Sequence, residues 1–234
     1  MSIARRTAVV ALLGLCVPAL ASAQAPAPAP APPKPATAPS ADPAERIAEQ
    51  VQAFYDRTRT FKASFKQRYT VRAHNKTKDS LGTVTFEKPG RMSWRYANNG
   101  NRVVSDGKLI KVYDKEARQM YEQQLGKSQY PAALAFLVGG GSLKTSFKWT
   151  KVDPKQMGFE GGHVLLGEPR EPTPAYQKVF LFVDGATFQV RRVLLLDAQG
   201  NKNRFDFVSP EVNKKAPADE FVFVPPPGTQ VVRP

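Results

Sequence analysis

The sequence predicts an α+β domain built on one large antiparallel sheet that curls on itself, with about ten strands and two or three short helices. Three observations carry this reading. From residue 61 onward, apolar and polar residues alternate in short runs separated by turn signals such as Pro89-Gly90, Asp106-Gly107 and Asp184-Gly185. Helical spacing of apolar residues occurs in only two credible places, one near residue 43 and one mid-chain. Runs such as Val179-Phe180-Leu181-Phe182-Val183 are apolar on both faces. A sheet of about ten strands curls or closes, so one face can pack a helix while the other lines a cavity.

The chain begins with the layout of a secretory signal peptide over residues 1–23. Arg5 and Arg6 form a basic start, residues 7–15 are apolar, and Ala21-Ser22-Ala23 supplies a small-residue cleavage site. The apolar run is well short of the ~20 residues a membrane span needs. The single cysteine, Cys16, lies in this leader. Leu15 before it is too large for a lipid-attachment site, so the processed chain is expected to lack disulfides, thiolate metal ligands and cysteine nucleophiles. Residues 24–43 are almost pure Ala and Pro, an extended flexible linker spanning about 60 Å at ~3.1 Å per residue. Residues 44–234 form a single folded domain.

Within that domain, Asp42-Pro43-Ala44-Glu45 is a helix start, with Asp42 as N-cap, Pro43 in the first turn and Glu45 at the capping-box position. Ile47, Val51, Phe54 and Tyr55 then follow at helical spacing. After Thr60 the period changes to two: Phe61, Ala63, Phe65, Gln67 and Tyr69 alternate with charged or small polar residues. Further strands are expected at 81–88, 92–96, 103–105, 109–113, 119–122, 164–166, 177–183, 190–196, 203–208 and 221–224. A second helix is expected from Pro131 through Leu134, Phe136 and Leu137, ended by Gly139-Gly140-Gly141.

The residues argue against catalysis. The two histidines, His74 and His163, have no metal-ligand spacing around them, so no metal or other cofactor is expected. Gly141-Ser142 lacks a nucleophile-elbow frame, and the triple glycine lacks the Lys-Ser/Thr of a phosphate loop. The net charge of +14 falls to +12 without the leader. That balance suits contact with anionic surfaces or serves solubility alone. Nucleic-acid binding is not expected. Trp94 and Tyr96 share a strand face with Met92, while Arg91, Ser93 and Arg95 take the other, which is the default of a half-buried strand.

Several ordered motifs resemble the LolA family of outer-membrane lipoprotein carriers. Phe61-Lys62-Ala63-Ser64-Phe65-Lys66-Gln67 is similar to the family's opening strand. Gly82, the run from Lys88-Pro89-Gly90 to Trp94-Arg95-Tyr96, and Val104-Ser105-Asp106-Gly107-Lys108 are similar to its central block. Phe205-Asp206-Phe207, Asn213, Phe221-Val222-Phe223 and Pro225-Pro226-Pro227-Gly228 are similar to its C-terminal block. The resemblance covers the folded part from about Asp42 onward.

The resemblance implies an incomplete, half-open β-barrel of about ten to eleven strands, capped by a lid of two or three short helices over a hydrophobic cavity. It implies a periplasmic chaperone, not an enzyme, that binds acyl chains of lipoproteins and carries them to the outer membrane. The partners would be acylated lipoproteins, an inner-membrane lipoprotein-releasing ABC transporter and, where present, an outer-membrane acceptor, with the carrier itself a monomer. A LolB-like acceptor, or another periplasmic lipid-binding or lipoprotein-sensing protein of the same fold, is the alternative. The family's lid-latching position, usually arginine before proline, is here Lys88. By alternation, Val84, Phe86, Met92, Trp94, Tyr96, Ile110 and Val112 are assigned to the cavity, and Val51, Phe54, Leu134 and Leu137 to the lid.

Overall fold

Twelve strands form a single sheet in the computed structural model, which describes residues 42–127 and 132–233. The expected leader, the linker up to Ala41, and Pro131 lie outside the described residues. The elements in chain order are α1 (Pro43–Asp56), β1 (Thr60–Val71), β2 (Lys76–Glu87), β3 (Arg91–Tyr96), β4 (Arg102–Asp106), β5 (Leu109–Asp114) and β6 (Gln119–Gln124). A 3-10 helix (Ala132–Val138) and α2 (Leu143–Ser146) follow. The chain then forms β7 (Phe147–Val152), β8 (Gly162–Pro169), β9 (Lys178–Asp184), β10 (Val190–Leu196), β11 (Lys202–Val212) and β12 (Gln230–Val232).

The spatial order is β12-β6-β5-β4-β3-β2-β1-β11-β10-β9-β8-β7. Neighbours are antiparallel except β12, which lies parallel to β6. Among the described residues the end strands β12 and β7 do not pair, so the sheet is not closed into a barrel.

Helix α1 starts as its sequence dictates. The Asp42 carboxylate accepts from Ala44 N–H at 2.8 Å, and Pro43 occupies the first turn, where a missing N–H costs nothing. Ala44, Ile47, Ala48, Val51 and Tyr55 then form one buried stripe. Glu45 does not complete a capping box: its Oε1 faces Arg170 at 3.9 Å and its Oε2 is buried without a partner.

The inner face of the sheet is apolar from β5 round to β8. Phe61, Phe65, Val84, Phe86, Met92, Trp94, Ile110, Leu165, Leu181, Val193 and Phe205 belong to one buried cluster, which α1, the 3-10 helix and α2 join from the other side. A separate outer cluster gathers Phe159, Val164 and Phe182. Strands apolar on both faces thus have two destinations, as β9 illustrates with Leu181 inward and Phe182 outward.

Four expectations require correction. The sheet has twelve strands, not ten to eleven, because β7 and β12 were not anticipated. The mid-chain helix is a seven-residue 3-10 helix, ended by Gly139 and Gly141 in the left-handed region, and α2 is a separate single turn. Residues 221–224 form no strand. They belong to a strap, residues 213–229, that crosses the outer face of β3, β4 and β5.

The fourth correction concerns that outer face, which is covered instead of half-exposed. Arg91 lies over the Phe221 ring at 4.3 Å and Arg102 over the Phe223 ring at 5.3 Å. Glu220 accepts from Arg95 Nε and Nη2 at 3.1 and 3.0 Å, and Lys111 Nζ donates to Phe223 O at 3.0 Å. Ser93 and Val104 are therefore buried although they point outward. The strap is then turned by the prolines and Gly228, and it delivers the chain to the start of β6, where β12 pairs in parallel.

Gly82 of β2 is a close-approach glycine. A Cβ there would stand 1.9 Å from Arg95 O and 3.0 Å from the Phe65 ring, so β2 and β3 can sit at this separation only without a side chain. Gly82→Ala is expected to destabilise the protein by about 1–3 kcal/mol, as for other overpacked sites. Urea unfolding measures this, and an unchanged midpoint would contradict the close approach.

Candidate functional site beneath the helices

The residues assigned from sequence to a cavity and its cover all meet in the main apolar cluster. Val84, Phe86, Met92, Trp94 and Ile110 are fully buried, with Tyr96 and Val112 half-buried against them. On the helical side Val51, Leu134 and Leu137 are buried and Phe54 is half-buried. Val84, Phe86, Met92, Trp94 and Ile110 touch neither solvent nor a water-sized void, each at 0 % exposure. Around these five residues the space is filled by neighbouring side chains.

Aromatic rings carry much of this packing. Tyr55 of α1 meets Phe136 of the 3-10 helix edge-on at 5.0 Å and Phe61 of β1 at 6.4 Å. Phe61 continues to Phe86 and Phe207, and Phe86 to Trp94 at 5.6 Å. Trp94 also contacts Phe65 at 5.0 Å and Phe205 at 5.3 Å. The edge-to-face pairs among these, Tyr55–Phe136, Phe61–Phe207, Phe65–Trp94 and Phe86–Trp94, add about 0.5–1.5 kcal/mol each beyond their buried area.

A small number of polar contacts hold the helices on this interior. The Lys88 ammonium donates to Tyr55 O at the carboxyl end of α1. That end has no basic residue of its own in its last turn, so Lys88 supplies the cation that the helix dipole favours there. The Lys88 stem lies against Gly139, where a Cβ would come within 3.2 Å of its Cγ and Cδ. Two residues on, Gly90 N–H donates to Val138 O at 2.9 Å and engages the end of the 3-10 helix. The Lys88-Pro89-Gly90 turn therefore touches both helices. Burial holds Lys88 below the usual lysine range, and the charge of nearby Asp56 opposes that fall.

Tyr55 is the residue that sequence reading undervalued. It belongs to the predicted helical stripe, in which the sequence assigns Phe54 beside it to the cover. In the structure Tyr55 is completely buried, and its hydroxyl accepts from Val190 N–H of β10 at 3.1 Å. Burial pushes its phenol far above the usual tyrosine range, only partly opposed by that hydrogen bond. Phe61, Phe65, Phe136, Phe205 and Phe207 were likewise unassigned, though the alternation in β1 and β11 marks four of them as inward-facing. Gln52 Oε1 accepts from Leu143 N–H at 2.9 Å, and Lys144 meets Glu49 at 2.8 Å, tying α2 to α1.

Among the described residues, several open grooves lie outside this interior. One of about 600 Å³ is lined by Arg59, Glu87, Arg91, Asn213, Lys214 and Lys215 at the rim beside the Lys88 turn. Among the described residues no group of three or more His, Cys, Asp or Glu could hold a metal ion. His163 is half-buried and stacks on Phe188, and His74 is exposed. None of the described helices is long and apolar enough to cross a membrane.

The apolar inner face of the sheet is thus packed under short helices, with polar contacts such as Lys88 to Tyr55 O and Gly90 N–H to Val138 O between them. A family model described as "Outer membrane lipoprotein carrier protein LolA" matches residues 56–224. The chain belongs to the LolA family of outer-membrane lipoprotein carrier proteins. It is 30% identical over 200 residues to such a carrier from Bordetella avium, covering 85% of this chain and 92% of that one. A carrier from Dechloromonas aromatica is 30% identical over 185 residues, with 79% and 86% covered. Among solved structures, a LolA superfamily protein from Nitrosomonas europaea covers 77% of this chain at 13% identity and a TM-score of 0.44.

Tyr55→Phe removes the acceptor of a buried backbone N–H and is expected to cost about 1–3 kcal/mol. The Val190 amide should then exchange faster with deuterium than in the unaltered protein. Unchanged exchange at Val190 would show that the hydroxyl holds nothing.

Proposed function

We propose that this carrier works in the periplasm, receiving the acyl chains of lipoproteins between the inner face of its sheet and a lid made of α1 and the 3-10 helix. The observation that carries the reading is the single apolar cluster joining sheet and helices, with every residue assigned from sequence to cavity or lid inside it. In the closed state the cavity is collapsed onto its own aromatic and aliphatic side chains. Acyl chains enter as the lid lifts, and they replace those contacts.

The energetics favour such an exchange. Each buried CH₂ is worth about 0.8 kcal/mol, so a long acyl chain gains on the order of 10 kcal/mol on leaving water. Part of that gain is offset by the interior packing lost on opening. The balance keeps the cargo bound across an aqueous gap yet releasable at the far side. Cargo passes from an inner-membrane ABC transporter to the carrier and from it to an outer-membrane acceptor, if one exists.

Lys88 is the latch in this scheme. An arginine in its place would span several carbonyls with a planar fork, whereas the lysine ammonium pivots on one main acceptor, Tyr55 O. The closed state is correspondingly easier to open.

Mass spectrometry of the purified protein is expected to find co-purified lipoprotein or lipid; tight recovery of one non-lipid small molecule would sink the carrier reading. Lys88→Leu is expected to impair loading or release in a reconstituted transfer assay. Transfer at the unaltered rate would rule the latch out.

A further inference from the structure

Trp94 and Trp149 are the two tryptophans of the chain, and both are buried. Their indole N–H groups differ. Trp149 Nε1 donates to Leu143 O at 2.9 Å, as a buried indole ordinarily does. Trp94 Nε1 is buried with no hydrogen-bond partner. Leaving such a donor unsatisfied in an apolar interior is costly, and native proteins retain few such groups. Phe65, Phe86 and Phe205 surround the ring, and their faces are weaker acceptors than a carbonyl oxygen.

We propose that the Trp94 indole N–H is a donor kept for the carbonyl oxygen of a bound acyl group, which makes this residue a determinant of specificity for ester- or amide-linked chains. The inference rests on the carrier reading above and adds to it the polar atom of the ligand that is recognised. Trp94 stands at the centre of β3, opposite Val84 of β2, within the cluster that the ligand would enter. An acyl chain brings into that cluster many methylenes and one strong acceptor, its carbonyl. Two other polar side chains of the interior are already engaged: Tyr55 Oη accepts from Val190 N–H, and the Trp149 indole N–H donates to Leu143 O. Ring packing alone would accept an alkyl ether of equal length equally well. An N–H that is satisfied only in the loaded state would not.

The test uses the full chain, expressed with its own leader and carrying ¹⁵N in its tryptophans. One probe is a synthetic peptide whose N-terminal cysteine bears a thioether-linked dipalmitoylglyceryl group. The second is its dialkyl ether counterpart, and the third an N-palmitoyl peptide lacking the glyceryl group. The diester probe is expected to bind about tenfold more tightly than the diether, the scale of one net hydrogen bond. The Trp94 indole proton, assigned by its loss in Trp94→Phe, should move downfield with the diester and hold its position with the diether. The Trp149 signal is the internal reference.

In Trp94→Phe the ester preference should vanish whatever the absolute affinities, because altered packing weighs on both probes alike. A downfield shift with the N-palmitoyl peptide assigns the amide carbonyl as a partner, and a shift with the diester alone assigns the ester. Equal affinity for diester and diether in the unaltered protein overturns the inference, as does an ester preference that survives in Trp94→Phe. If none of the three probes binds, the carrier reading falls and this inference falls with it.

Discussion

The carboxyl end of α1 is held by a cation that the helix does not itself possess. Lys88, at the end of β2, carries its ammonium to Tyr55 O, where the helix dipole leaves partial negative charge. Neighbouring segments are organised around that point. Gly139 has no side chain, so the lysine stem can pass, and Gly90 meets Val138 O. The chain leaving α1 is bound to the beginning of the strap, with Arg59 N–H on Asn213 Oδ1 and Thr60 Oγ1 on Lys214 O, both at 2.7 Å. Helix, 3-10 helix, first strand and strap thus converge on one short turn. Motion of α1 requires this junction to yield.

What the junction closes over is an interior with two demands that conflict. A sheet of this breadth presents more apolar surface than short helices can cover with simple packing, and voids forfeit dispersion contacts. The protein brings large rings inward from β1, β2, β3 and β11, where they pack on one another and on the helices. A carrier must also reopen. Among the described residues the helices are fastened by hydrogen bonds of Lys88, Gln52 and Tyr55, with apolar contact around them. The strap solves a different problem on the opposite face. It shields the outward side of β3 to β5 and fixes their arginines through Glu220, Phe221 and Phe223.

Much of this could be read in the sequence wherever the information is local. The start of α1 follows from Asp42 and Pro43, and the inward set of β2 and β3 follows from alternation, which puts Val84, Phe86, Met92 and Trp94 on one face. Lys88 was found through its place before Pro89 in a motif. The errors have a common origin. Phe221 and Phe223 alternate with valines as a strand does, but arginines from β3 and β4, more than a hundred residues away in the chain, capture the rings, and proline follows. β12 is three residues long and exists only because the strap returns the chain to β6. Tyr55 was passed over because its value lies in Val190 and Lys88, distant residues that its position in a helical stripe does not reveal.

The sequence by itself determined the class of the protein: a strand-rich domain with surplus apolar surface, no assembled catalytic set, and ordered motifs of a lipoprotein-carrier family. The first two depend on composition, period and spacing, which are local, and the third on the resemblance of short motifs to a family. The tertiary structure decided which apolar residues became interior and which outer cluster, that Lys88 meets the carboxyl end of α1, and that one indole of two is left without a partner. Each of these depends on long-range contact. A hydrogen bond or a covered face is a relation between segments, and only the folded chain sets both of its members side by side.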